Sequence, residues 1–169
     1  MKQFKTLLIA VALTLGATSF ANAQSKVAHI ATQELIEQMP SYKAAMNQLE
    51  KLQKTYDTEI KDMVTEAQGT MKRYEAEAQT KTDEENQRRA NELQQTQRSI
   101  GEYRQDAMQK LQEKEVQLLR PVLEKARTTI QKVARAKGFD YVLDSTTGTG
   151  VIMADGYNLM ADVKTDLGI

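Results

Sequence analysis

The sequence contains no cysteine and no tryptophan, and only one histidine, two prolines and three phenylalanines in 169 residues. Without cysteine there is no disulfide to hold an exported fold together and no thiol to serve as nucleophile or metal ligand. With His29 as the single imidazole, no multi-histidine metal cluster can form, and in a strand candidate that residue reads as a packed or surface side chain. Large apolar side chains are too few and too dispersed for one compact core. Neither sign of charge dominates, with 23 Lys and Arg against 23 Asp and Glu, which weighs against nucleic acid as a partner. Gly148 and Gly150 in "TTGTG" follow no phosphate-loop spacing and read as turn residues. The composition points away from an enzyme and asks for no cofactor.

What is present begins with an address. Lys2 and Lys5 precede the apolar run "TLLIAVALTLGATSF", which closes on Ala21-Asn22-Ala23. That pattern predicts a secretory signal peptide over 1–23, cut before Gln24. The two leader lysines removed, 21 basic side chains face 23 acidic ones, a formal charge of −2 on the exported chain.

After the strand candidate "KVAHIA", Thr32 is placed to cap a helix, and a helical pattern runs to about Gln79 with one interruption at Pro40. Tyr42, Leu49, Tyr56 and Met63 recur every seven residues, and Met46, Gln53, Ile60, Ala67 and Tyr74 take the complementary position. This is a coiled-coil seam. At "AQTKTDEEN" the chain turns, with Thr82 and Glu85 as a capping box and Asp83 and Glu84 suited to a helix start. The returning helix carries Leu93, Ile100 and Ala107 on one heptad position and Leu111 and Leu118 on the other. Two such helices predict an antiparallel hairpin, on the order of 55 Å long at 1.5 Å per residue.

The arm reads as loosely built. Gln53, Thr70, Gln97, Arg104 and Lys114 fall on seam positions. Gly69 and Gly101 each cost about 1 kcal/mol relative to alanine inside a helix, and folding near residue 83 or 84 brings them to similar heights as hinge candidates. Pro40 and Pro121 are expected to mark where arm meets body. Past Pro121, Val122, Ala126, Ile130 and Val133 form one face of a third helical segment, stopped at Lys137 and Gly138. "FDYVLD", "STTGTG" and "VIMA" then read as strand, turn and return strand of a β-hairpin, and Asn158 is placed to cap a closing helix. The predicted class is mainly α with a small β element: a coiled-coil arm over 41–120 projecting from a body split between 24–40 and 121–169.

A lone hairpin is marginal in water and its edges invite pairing, so the β segment reads as an assembly device. Met71 and Met108 lie off the regular seam and are candidates for contacting a client, since flexible thioethers suit surfaces that repack around different partners. Lys72, Arg73, Lys81, Arg88 and Arg89 near the tip are candidates for anionic lipid. Glu75, Glu77, Asp83, Glu84 and Glu85 balance them, and an ordinary solvated tip is the plainer reading.

The signal peptide, "KVAHIATQELIEQMPSYKAAMNQLEKL", the charged helical hairpin, "LLRPVLEKARTTIQKVARAKGFDYVLD" and "GVIMADGYNLMADVKTDL" together resemble the OmpH family across the whole exported chain. The resemblance implies a homotrimer whose β segments form a body carrying three helical tentacles. It also implies a periplasmic, ATP-independent holdase for unfolded outer-membrane β-barrel proteins. Carried onto this chain, assembly is expected at Val27, Ile30, Tyr141, Val142, Leu143, Val151 and Ile152. Two departures stand out. The family's best-known member is markedly basic, in keeping with acidic clients and lipopolysaccharide, whereas this chain is near neutral; and the usual D-I-T near the C-terminus is here Asn158-Leu159-Met160. The principal alternative is a structural envelope protein serving as spacer or tether.

Overall fold

The computed structural model describes residues 25–169; the expected signal peptide and Gln24 lie outside them. Strand β1 (Val27–Ile30) leads into helix α1 (Thr32–Gln38), the long helix α2 (Pro40–Glu77), a 3-10 turn (Ala78–Thr80) and helix α3 (Asp83–Ala136). Strands β2 (Tyr141–Asp144) and β3 (Tyr157–Asn158) and helix α4 (Met160–Leu167) complete the chain. The chain is mainly helical with a small sheet, as its sequence pattern predicts. It divides into two units, one holding the sheet, α4 and the end of α3 from Arg127, the other spanning Ile36–Ala126.

In the sheet unit the predicted hairpin does not form. The strand order is β2-β1-β3, and β1 pairs parallel with both neighbours. Val27 sits opposite Tyr141 and His29 opposite Leu143 on one side, and His29 opposite Asn158 on the other. A two-strand hairpin is necessarily antiparallel, whereas parallel strands need a crossover of about a dozen residues or more. Residues 145–156 supply that crossover between β2 and β3, so "VIMA" is connection rather than strand. β1 wins the central place because it can satisfy a neighbour on each edge: Ser145 N–H donates to Ile30 O at 3.0 Å, and Leu159 N–H to His29 O at 3.0 Å. Ile30, Leu35, Leu159 and Val163 are completely buried and form the heart of this unit.

The start of α1 is satisfied by partners the sequence pattern did not name. Thr32 is already helical, and the first N–H groups of α1 are met from β2 and its turn. Asp144 accepts Thr32 N–H at 3.2 Å and Thr32 Oγ1 at 2.5 Å, and Thr146 Oγ1 accepts Gln33 N–H at 3.2 Å. α3 stops where expected: Gly138, at φ 75°, lets its own N–H reach Arg135 O and Phe139 N–H reach Ala134 O, which satisfies the last carbonyls. The N-cap of the closing helix is Leu159 rather than the predicted Asn158, which sits one residue ahead and still takes Met160 N–H on its Oδ1 at 2.9 Å.

Pro121 does not break the chain into separate helices. It lies inside the 54-residue α3, where it deletes one N–H from the ladder. Val122, Ala126, Ile130 and Val133 are all buried on one stripe of the same helix, and that burial holds the helix through the defect. Pro40, by contrast, occupies the first turn of α2, where its missing N–H costs nothing.

Candidate functional sites in the arm and on the sheet

In the arm unit α2 and α3 are cross-linked side chain to side chain. Tyr74 OH donates to Glu92 at 3.0 Å, and Arg89 Nη2 donates to Glu77 at 2.8 Å, so the fold-back centres near residue 83. Thr82 Oγ1 accepts Glu85 N–H at 3.3 Å, but only half of the predicted capping box exists. Glu85 turns instead to Arg88, with contacts of 2.7 and 2.9 Å, and to Arg89 at 3.2 Å. The Arg88 hydrogen bonds draw the Glu85 carboxyl down to about 2.

Among the candidates for lipid contact, Arg89 is therefore committed elsewhere. Its side chain is 11% exposed, bridges Glu77 and Glu85, and lies 4.5 Å from the centre of the Tyr74 ring. It is a latch at the tip. Lys72, Arg73, Lys81 and Arg88 remain on the surface.

The seam departs from the predicted positions in phase. Tyr42, Leu49, Tyr56 and Met63 are shielded as expected, but Ala45 and Leu52 pack where Met46 and Gln53 were predicted to, and Thr96 and Tyr103 replace Gln97 and Arg104. From Ile60 onward α2 follows the predicted positions again. The shift comes from two successive steps of four, Leu52–Tyr56–Ile60 on one helix and Tyr103–Ala107–Leu111 on the other. Such a step locally unwinds a supercoil. The two occur face to face, with the Tyr56 and Tyr103 rings 6.2 Å apart, edge on, and Tyr103 donating to Glu59. That hydrogen bond pushes the Tyr103 phenol up to about 12.

Displaced from the seam, Gln97 and Arg104 instead line a recess beside it. The recess has a volume of about 440 Å³, and its other walls are Val64, Ala67, Gln68, Met71, Leu93 and Ile100. It opens where Thr96 and Tyr103 take the seam and leave Gln97 and Arg104 exposed beside it. Met71 thus stands at a cavity, 38% exposed, whereas Met108 is simply on the surface at 64%. Gly69 and Gly101 adjoin two lining residues in sequence, and no atom lies within 4 Å of where a Cβ would sit on either. The cross-links put Gly101 opposite the neighbourhood of residue 65, about one turn from Gly69. Val64 and Gln68 belong to this site without having been singled out beforehand; glutamine and arginine at positions where the heptad pattern asks for apolar residues were the signal that the packing changes there.

In the sheet unit the residues expected to assemble fall into three groups. Val27, Tyr141 and Leu143 are exposed on the open face. Ile30 is at 0% exposure in the core, and Val142 is half-buried on that same inner side. Val151 and Ile152 lie in the crossover, Ile152 fully exposed beside Met153. His29, half-buried, places Nδ1 3.0 Å from Ser145 Oγ. Tyr157 is tied down by Lys137 and Asp162, with contacts of 3.0 and 2.9 Å, and stacks on Phe139 at 5.1 Å. Among the described residues no group of three or more His, Cys, Asp or Glu side chains could hold a metal ion, and no helix is long and apolar enough to cross a membrane.

Residues 26–167 match the family model described as outer membrane protein (OmpH-like). The chain belongs to the OmpH-like family. Among solved structures this family member is similar to a candidate outer membrane chaperone (OmpH-like) from Caulobacter crescentus CB15. The TM-score is 0.76 at 19% identity, covering 87% of this chain and 86% of that one. At that identity the likeness speaks for the fold. No curated protein matches the chain.

Proposed function

We propose that this OmpH-like chain is exported to the periplasm and acts there as an ATP-independent holdase, binding unfolded outer-membrane β-barrel proteins, preventing their aggregation and assisting their delivery. The family match over nearly the whole described chain carries this reading. The arm supports it: a helical hairpin with a weak seam and an apolar recess offers many modest contacts to a chain of no fixed sequence, and such contacts capture without needing catalysis.

The working form is a homotrimer. Residues 24–40 and 121–169 form the body and 41–120 the arm that encloses the client. Parallel sheets are normally covered on both faces, and here Val27, Tyr141 and Leu143 are left uncovered. Further copies of the chain would cover them, with Val142 on the same strand, Ile30 supporting from within, and Val151 and Ile152 contributing from the crossover. Gly69 and Gly101 let the arm splay. Met71 and Met108 contact the client, and Lys72, Arg73, Lys81 and Arg88 are the residues to test against lipopolysaccharide or anionic lipid.

The decisive experiment dilutes a urea-unfolded outer-membrane barrel into buffer with and without the exported chain while light scattering is followed. Suppressed scattering at near-equimolar assembly is expected. A client that precipitates regardless would sink the holdase reading and leave a structural spacer or tether.

A further inference from the structure

We propose that the recess between α2 and α3 grips a large apolar side chain of an unfolded polypeptide, and that Arg104 makes it prefer segments in which a carboxylate stands next to that side chain. This rests on the holdase reading and names the feature of the client that the arm would select.

Three observations converge on it. The first is the lining: Val64, Ala67, Met71, Leu93 and Ile100 give the recess of about 440 Å³ its apolar walls, with Gln68, Gln97 and Arg104 as its polar ones, and its size is within the range that small-molecule sites occupy. Leucine or an aromatic side chain fits with room for part of its neighbour. Met71 can repack around either shape, since an unbranched thioether adapts to its contact.

The second is the charge at the wall. Arg88 and Arg89 are engaged with glutamates of the arm itself. Arg104 is exposed, lines the recess, and its guanidinium has no hydrogen bond or ion pair among the described residues. A guanidinium with all its donors open beside an apolar hollow complements an apolar group with a carboxylate attached, and it repels one followed by lysine.

The third is the tolerance of the walls. Gly69 and Gly101 follow Gln68 and Ile100, no close approach demands a glycine at either place, and each weakens its helix relative to alanine. Walls that yield there admit side chains of different size.

The test uses capped, fluorescently labelled peptides of equal length carrying leucines each followed by Asp, Asn or Lys, titrated against the assembled chain by anisotropy. Wild type should bind the Asp peptide about fivefold more tightly than the Asn peptide, the scale of a partly exposed charge pair, and the Lys peptide most weakly. Arg104→Gln should equalise the three, and because Arg104 is exposed the variant should keep its helical circular dichroism. Ala67→Leu, which fills the floor, should weaken all three peptides alike. Equal affinities in wild type, or a preference that survives Arg104→Gln, would overturn the proposal, as would unaltered binding by a folded Ala67→Leu chain. The same preparations assayed for suppression of barrel aggregation separate the two claims. Suppression without peptide preference overturns the present proposal and leaves the holdase reading standing; no suppression by wild type removes the holdase reading itself.

Discussion

Ile30, Leu35, Leu159 and Val163 of the sheet unit are all at 0% exposure, while along the seam between Tyr42 and Leu118 the buried apolar residues are Ala45, Ile100 and Ala107. One unit concentrates fully buried branched side chains in a small core. The other spreads leucine, isoleucine, methionine and tyrosine, most of them only half-buried, over a long seam and fastens its tip with Arg89, Tyr74, Glu77 and Glu85. Burial of a whole branched side chain contributes about 1.5–3 kcal/mol, so a few such residues can fix the geometry of the sheet unit. The arm unit rests instead on many contacts that are individually weak.

The sharpest way to break that contrast is inside the core. Ile30→Ala should destabilise the chain by about 2–5 kcal/mol, the usual range for a large buried residue cut to alanine, read as a lowered urea midpoint by circular dichroism. A loss well below 1 kcal/mol would mean the sheet unit is as loosely packed as the arm.

A smaller effect of opposite sign is expected in the arm. Gly69→Ala with Gly101→Ala should stabilise it by about 2 kcal/mol together, because added methyl groups meet open space. Spin-label distances across α2 and α3 should narrow. An unchanged distance distribution would assign the arm's looseness to the seam shift at Tyr56 and Tyr103 alone.

The smallest expected change sharpens the sheet unit. Asp144→Ala removes the acceptor for Thr32 and Thr146 and should cost about 1 kcal/mol, as loss of a helix cap does. Partial burial pushes the Asp144 carboxyl up, but hydrogen bonds from Thr146 and Thr32 outweigh it and hold it at about 2, below its ordinary value of 3.8. The folded pKa is thus depressed, so this contribution is present above pH 4 and is lost as pH falls through the folded value of about 2. The gap in stability between wild type and Asp144→Ala should therefore shrink as pH falls from about 4 through 2; a gap that stays constant with pH would show that charge plays no part in the cap.

Periodicity and end signals made much of the architecture legible from the residues alone. The helical hairpin, its turn after Gln79, the buried stripe Val122, Ala126, Ile130 and Val133, the stop at Gly138 and the strands at Val27 and Tyr141 all follow from local pattern, because apolar spacing and φ-restricted residues act within a few positions of themselves. Three other features required the assembled fold. Whether "VIMA" pairs depends on what β1 offers on both its edges, a contact between segments more than 110 residues apart. Whether Pro121 ends a helix depends on burial around it rather than on its own ring. The recess arises because Thr96 and Tyr103, not Gln97 and Arg104, face α2, and one residue of phase turns a side chain by about 100° on a helix. Sequence by itself determined the elements and their ends, since those are decided by near neighbours; tertiary structure alone decided strand order and seam phase, since these are choices between partners of nearly equal local merit that only distant packing can separate.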